Sequence, residues 1–409
     1  MPGPEANGAR WPLKELAFVW GGNLLSKVMM FAATIYLANA LEVEGFGIFS
    51  TAFAVVNYIS LALFTGLDTL VTRESASLVP ENTWAFSKKL FSCRRRLVNL
   101  AVVLTAAFAL FMGKGHREMG FALVLFGLSF LPQQVYSVNL FYGLEWPGPI
   151  AAYFVGGRIF YLALLFLLVK GPADLYFAAG AFTLAIAAEN IFLFLCLFLR
   201  YNKKGDPSVS APAIDLKPVL LLTALTALLL LHENVPQFLV FFLRGDEEAG
   251  LYASSFRLIY TAVTFANLGG FVFLARFSKQ QKENPEKARE SYGKARWAAL
   301  VLGLAMALAG YFSSDLIYSV LFKASYRDGA MVMRAGVFQM ALVPLRVLAW
   351  QYALVRGKAG KLLLPLILAV SASVGITSFL VLSKGALGAA AGLVCGELMI
   401  LAALLWKTK

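Results

Sequence analysis

The sequence predicts an all-α integral membrane protein, with twelve transmembrane helices in two parallel six-helix bundles around a central cavity. Three observations lead there: a composition too apolar for a soluble chain, basic residues that alternate between two faces, and an internal repeat. Apolar residues make up 59% of the 409 and charged residues 14%, against roughly 25% charged in soluble domains. Mean hydropathy is +0.72. A spanning helix needs about 20 mostly apolar residues, so the apolar content suffices for about twelve. The same composition excludes a disordered chain, a disulfide scaffold and a coiled coil.

Apolar runs of 17 to 27 residues place the spans at 13–38, 46–71, 97–113, 119–141, 148–169, 174–199, 217–241, 249–275, 295–313, 329–355, 360–382 and 386–406. The third is the shortest. Its amphipathic lead-in, Phe86 to Arg96, reads as a helical extension or as a helix on the membrane surface. Pro132, Pro236, Pro344 and Pro365 fall inside spans and predict kinks. Gly388, Gly392 and Gly396 form a GxxxGxxxG face in the last span, a signal for close helix packing. The pairs Gly156-Gly157 and Gly269-Gly270 read as packing or bending points. Between the sixth and seventh spans lies RYNKKGDPSVSAPAIDL, polar and containing Pro and Ser, the composition of a linker. The expected organisation is a bundle over 1–200, a cytoplasmic linker over 201–216 and a second bundle over 217–409. The beginning, MPGPEANGARWPLKE, lacks the cationic lead, short apolar run and A-x-A site of a cleaved signal peptide. The first apolar run is therefore expected as a retained span.

An even number of spans puts both termini on one side. One face then carries 24 of the 36 Lys and Arg residues, the other carries seven, and five lie within spans. The positive-inside rule sets the basic face, and both termini, in the cytoplasm. The net charge of +13 follows from that asymmetry and gives no reason to invoke nucleic acid. Cys93, Cys196 and Cys395 are far apart and form neither a CxxC pair nor a zinc pattern.

The repeat has an offset near 203 residues. Segment 47–75 lies over 250–278, pairing Gly47 with Gly250, Phe49 with Tyr252, Phe53 with Phe256, Gly66 with Gly269, Arg73 with Arg276 and Ser75 with Ser278. Gly143 and Lys170-Gly171 match Gly357 and Lys384-Gly385 at offset 214, and Gly180 and Glu189 match Gly388 and Glu397 at offset 208. The repeat relates spans one to six with spans seven to twelve. Six is even, so the halves share one orientation, related about an axis along the membrane normal with the substrate path between them.

Ionisable side chains inside spans are expensive, which makes each one a functional candidate. Asp68 and Arg334 lie near span ends and can snorkel. Lys27, Arg158, Arg257 and Arg346 lie eight or more residues from either end and must face protein or water. Two readings stand for these four. They line a cationic cavity between the halves that accepts an anionic headgroup, or they form buried ion pairs such as Arg158 with Glu189 and Arg346 with Glu397. The symmetric placement of Glu189 and Glu397 suggests a structural role for both. His232-Glu233 has no counterpart in the first half and is the candidate for proton or ion coupling, or else a hydrogen-bonded polar pair beside Pro236.

Enzyme signatures are missing. There is no G-x-x-x-x-G-K-[ST] phosphate loop, no HExxH, and no G-x-S-x-G elbow. The longest loops run to about 25 residues, too short for a catalytic domain. No metal site and no cofactor are expected.

The opening stretch, GNLLSKVMMFAATIYLANALEVEGFGIFSTAFAVVNYISLALFTGLDTLVTRESA, resembles the Wzx-type polysaccharide (O-antigen) flippases. These belong to the superfamily of the MATE multidrug exporters and lipid II flippases. The pieces that carry the resemblance are the turn Glu44 to Phe49, Gly66 with Arg73, and the echo AGLYASSFRL from Ala249 to Leu258, which includes Arg257. It extends over essentially the whole chain. The resemblance implies two six-helix bundles around a V-shaped cavity, and alternating access. It implies a bacterial cytoplasmic (inner) membrane transporter, not an enzyme, that moves an undecaprenyl-diphosphate-linked oligosaccharide to the outer leaflet for cell-surface polysaccharide such as lipopolysaccharide O-antigen. Lipid II flippases usually carry fourteen spans, so twelve speaks against that branch. A MATE-like cation or drug antiporter is the main alternative, and a membrane enzyme acting on lipid-linked sugars is a third. The excess of deep cations favours an anionic diphosphate, which arginine binds bidentately. Expected partners are the lipid-linked oligosaccharide, membrane lipids, and protons or sodium if transport is ion-coupled. A monomer is expected, because the pathway lies within one chain.

Overall fold

The predicted apolar runs fold as helices. The computed structural model describes residues 13–204, 217–267, 277, 280–281, 283–356 and 359–408, and no strand occurs among them. Helix α1, Leu13–Ser75, holds the first two predicted spans in 63 residues and is broken only at Glu42, whose φ is 60°. Helix α2, Pro80–Gly113, starts with Pro at its first position, where the missing N–H costs nothing. The lead-in to the third span is thus a continuous extension of the spanning helix, the first of the two expectations for it. The fourth run is less regular: α3, Arg117–Gly127, passes into a 3-10 stretch, Leu128–Val135, around Pro132, and resumes as α4, Val138–Gly143. Helices α5, Pro147–Leu168, and α6, Leu175–Tyr201, follow. Residues 205–216 of the expected linker lie outside the described residues.

The second half runs through α7, Lys217–Arg244, α8, Asp246–Asn267, α9, Pro285–Leu321, α10, Gly329–Gly336, α11, Gln339–Val355, and α12, Ala359–Thr408. The eighth predicted span is seen as far as Asn267, and its remainder lies outside the described residues. Helix α12 holds the last two predicted spans and breaks at Gly385, φ 56°, a left-handed conformation that suits glycine. A Cβ there would also strike the Glu248 carboxylate, which accepts the Ala386 N–H at 2.6 Å. Nine helical stretches among the described residues are long and apolar enough to cross a membrane. Two of them, 58 and 47 residues long, each contain one of these breaks. At 1.5 Å per residue, about 20 residues cross the hydrocarbon core, so each is long enough for two passes.

The GxxxGxxxG face packs closely, as expected. Cβ atoms on Gly388, Gly392 and Gly396 would collide with the Leu380 carbonyl, with Thr377 and with Ser373, so the two parts of α12 meet at backbone range.

Burial is distributed unevenly along the molecule. The largest apolar cluster draws on both halves, with Phe46, Phe49 and Phe126 from one and Tyr252, Tyr326 and Val337 from the other. Two smaller clusters each stay within one half: Leu67, Phe86, Leu90 and Leu197 in the first, and Leu225, Leu366, Ile400 and Leu404 in the second. The halves are therefore joined at one end and have separate cores at the other. Hydrogen bonds across the joined end include Tyr326 Oη to the Ala38 carbonyl at 2.9 Å and Asn39 Nδ2 to the Leu321 carbonyl at 2.7 Å. Lys323 N also donates to Asn39 Oδ1 at 2.9 Å.

Candidate functional site

Below the joined end lies a cavity of about 410 Å³, walled by α1, α5, α7 and α8. Its lining follows the repeat. Ser50, Phe53, Asn57 and Leu61 from α1 face Ala253, Phe256, Tyr260 and Thr264 from α8, each pair 203 residues apart. Lys27, Met30, Phe31 and Thr34 likewise have Leu230, Glu233, Asn234 and Gln237 as counterparts at the same offset. Equivalent helices thus present equivalent positions to one space. The charges break the symmetry, since Lys27 stands opposite a leucine position and Arg257 has Ala54 as its counterpart.

Three of the four predicted deep cations, Lys27, Arg158 and Arg257, line this cavity. Arg257 has its guanidinium 5.0 Å from the Phe53 ring centre, a cation–π contact across the two halves. Neither Lys27 nor Arg257 has a carboxylate partner among the described residues. Arg158 has one: Glu189 approaches it at 3.5 Å. Gly157 makes room for that pair, because a Cβ there would fall on the Glu189 carboxylate.

Arg346 is placed differently from the cavity expectation. It is 6% exposed and does not appear on the cavity wall. Its Nε donates to Glu397 Oε2 at 2.7 Å, and its other arm donates to Glu233. An arginine in a dry interior needs carboxylates around it, and two surround this one. The ion-pair alternative describes Arg346, whereas Arg158 satisfies both readings, lining the cavity and pairing with Glu189.

Glu233 itself lines the cavity, and His232, one residue earlier, turns away from it and is 2% exposed. The His232 ring sits between Ser373 Oγ, at 2.9 Å, and Glu397 Oε1, at 3.6 Å. A polar chain therefore leads from the cavity wall inward: Glu233, Arg346, Glu397, His232, Ser373. Among the described residues no group of three or more His, Cys, Asp or Glu is arranged to hold a metal ion.

Two features escaped the sequence reading. Arg94 belongs there to the basic face, yet it is 2% exposed, paired with Asp68 and stacked 4.5 Å from the Tyr136 ring centre. Asp68, expected to snorkel, is its partner. The second is Gln237, whose Nε2 reaches Thr51 Oγ1 at 2.8 Å and the Ala249 carbonyl at 3.2 Å, tying the halves together at the top of the cavity. Arg334, by contrast, pairs with Asp315 on an exposed surface, as its place near a span end suggests.

Residues 13–258 match the family model described as polysaccharide biosynthesis protein. The chain is 25% identical over 363 residues to the EPS I polysaccharide export inner membrane protein EpsE of Ralstonia solanacearum, covering 83% of this chain and 80% of that one. Among solved structures it is similar to the lipid II flippase MurJ in an inward closed conformation, with a TM-score of 0.71, 12% identity and coverage of 95% and 86%. It is also similar to a MOP superfamily transporter from Pyrococcus furiosus, whose binding pocket is described as reversed in polarity. There the TM-score is 0.67, the identity 13% and the coverage 96% and 94%. MATE multidrug transporters share the fold, with a TM-score of 0.65 for an outward-facing one at 15% identity, covering 96% of this chain and 93% of that one. With the family model matching more than half of the chain, the chain belongs to the polysaccharide biosynthesis protein family, on a fold shared with MATE transporters and MurJ.

Proposed function

We propose that the protein moves a polyprenyl-diphosphate-linked oligosaccharide, of the undecaprenyl type, from the cytoplasmic to the outer leaflet. In this reading it is a transporter and not an enzyme. It has twelve spans in two six-helix bundles, 1–200 and 217–409, it works as a monomer in the bacterial cytoplasmic membrane, and both termini are cytoplasmic. The observation that carries the reading is the cavity shared by equivalent helices, with Lys27 and Arg257 on its wall without carboxylate partners among the described residues. A diphosphate cannot cross hydrocarbon bare. A wet cationic cavity lowers that barrier while the polyprenyl tail stays in lipid. Export by the relative EpsE supports the polysaccharide cargo.

The uneven burial supports alternating access in this reading. The break at Glu42 within α1 and the turn at Gly245 lie at the joined end, opposite the basic loops, and in this reading the cavity faces the cytoplasm in this conformation. Glu233 favours a second reading, an ion- or drug-coupled antiporter, because an acid on the cavity wall can take up a cation. Its contact with Arg346 weighs against free exchange.

The test is transbilayer movement of a labelled undecaprenyl-diphosphate sugar in liposomes carrying the purified protein. Movement above protein-free liposomes is expected. It should vanish in a Lys27/Arg158/Arg257 triple alanine variant and persist in Arg334→Ala. Intact movement in the triple variant would falsify the cationic route. Efflux of cationic drugs with no lipid movement would favour the antiporter.

A further inference from the structure

A second cavity, about 240 Å³, opens within the first half and shares Phe53, Asn57 and Leu61 with the central one. It is a side chamber of the transport cavity, enclosed by α1, α2, α5, α6 and the 3-10 stretch around Pro132. We propose that this chamber is a sugar subsite, which receives one uncharged sugar unit of the cargo while the diphosphate sits against the cations outside. This inference rests on the transport reading above and names where the saccharide part of that cargo is held.

Three observations combine. First, the chamber is polar without net charge. Its two ionised side chains, Arg94 and Asp68, are paired with each other. It attracts neither a phosphate nor a cation, which leaves a neutral polar guest. Second, it contains polar groups in want of partners. Among the described residues, Asn190 Oδ1, Ser129 Oγ and Arg94 Nε have no hydrogen-bond partner, and Asn190 and Ser129 are each 1% exposed. Buried polar atoms are costly when left unpaired. An amide oxygen, a hydroxyl and a guanidinium N–H supply the mixed acceptors and donors that hydroxyl groups satisfy. Third, aromatic rings alternate with these groups: Phe64, Tyr136, Tyr153 and Phe182 stand on the same walls. A sugar ring has C–H faces and a hydroxyl rim. Its faces suit aromatic planes, whose quadrupole attracts C–H edges, and its rim suits the polar atoms between them. The volume admits about eight waters at roughly 30 Å³ each, enough room for a single sugar ring and too little for an oligosaccharide.

Binding to the full-length protein in detergent tests this with four probes: undecaprenyl diphosphate, and the same lipid bearing glucose, galactose or N-acetylglucosamine. The expected result is at least one sugar-bearing lipid bound about tenfold tighter than the sugarless one, worth roughly 1.4 kcal/mol. That preference should collapse in Asn190→Leu and, independently, in Gln133→Leu on the chamber wall. It should persist in Ser313→Ala, on an exposed helix surface. Arg257→Ala should weaken all four lipids together. Equal binding of all four probes to the wild type, or a preference that survives both chamber variants, overturns the subsite and leaves the diphosphate route standing. Binding of none of the four overturns the transport reading as well.

Discussion

Gly47 and Gly250 cross at backbone range. A Cβ built on Gly47 would fall on the Asp246 carbonyl and lie 2.8 Å from Gly250 N, and one built on Gly250 would fall on the Val43 carbonyl. Asp246 and Val43 are themselves 203 residues apart, so the contact is reciprocal and each helix uses the same two positions. Any side chain there would wedge the joined end open.

Gly47→Val and Gly250→Val are therefore expected to weaken the closed arrangement by about 1–3 kcal/mol, the usual cost of overpacking. The readout is a single cysteine at Asn57 in a cysteine-free background, labelled by an impermeant maleimide from the side bearing Glu42. Labelling should rise several-fold in either variant. An unchanged rate means that the crossing is not the barrier on that side.

Arg346 and Arg257 should separate stability from transport. Arg346→Ala leaves Glu233 and Glu397 without their shared cation, and losing one partner of a buried ion pair costs about 3–5 kcal/mol. Thermal unfolding in detergent should show a marked loss, largely restored when Glu233→Gln and Glu397→Leu accompany Arg346→Met. Arg257→Ala should shift unfolding little and reduce lipid movement at least tenfold. A stable Arg346→Ala protein would contradict the dry ion-pair description.

Adjacent glycines give a sharper contrast. A Cβ on Gly157 falls on the Glu189 carboxylate, while one on Gly156 meets nothing within 4 Å. Gly157→Ala should displace Glu189 from Arg158 and reduce both stability and transport. Gly156→Ala should be neutral or stabilising by about 0.5–1 kcal/mol, the ordinary gain for Gly to Ala in a helix. Equal behaviour of the two variants in thermal unfolding would count against the placement of Glu189.

Ion coupling is tested through Glu233. If this acid takes up a proton during the cycle, an imposed proton gradient accelerates lipid movement in wild-type liposomes and leaves Glu233→Gln unaffected. Acceleration that survives the substitution removes Glu233 from coupling.

Much of this was legible in the residues. The helical class, the repeat and three of the cavity cations follow from apolar run length, self-matching and depth. The choice between the cavity wall and the Glu397 pair stayed open for Arg346, because depth along a helix says nothing about which side of it faces the cavity. Arg94 was lost among Arg94-Arg95-Arg96, a run that looks like a solvated basic loop. A helical-face reading would have found it, since Phe86, Leu90, Arg94, Val98 and Ala101 form one buried stripe of α2 while Arg95 and Arg96 stay exposed. The side chamber was beyond reach, because its walls come from five segments that no periodicity connects.

On the face opposite the basic loops, the connections are very short. The chain turns at Glu42, at Lys114 to His116, at Gly245 and at Gly385, with only slightly longer turns before α6 and between α9 and α10. A protease, an antibody or a phage approaching from that side meets almost no free loop to grip. Reporter insertions there would have only these short turns to enter, or would have to interrupt a helix. The same brevity couples the two parts of α1, and likewise of α12, so that each pair must travel as a single lever.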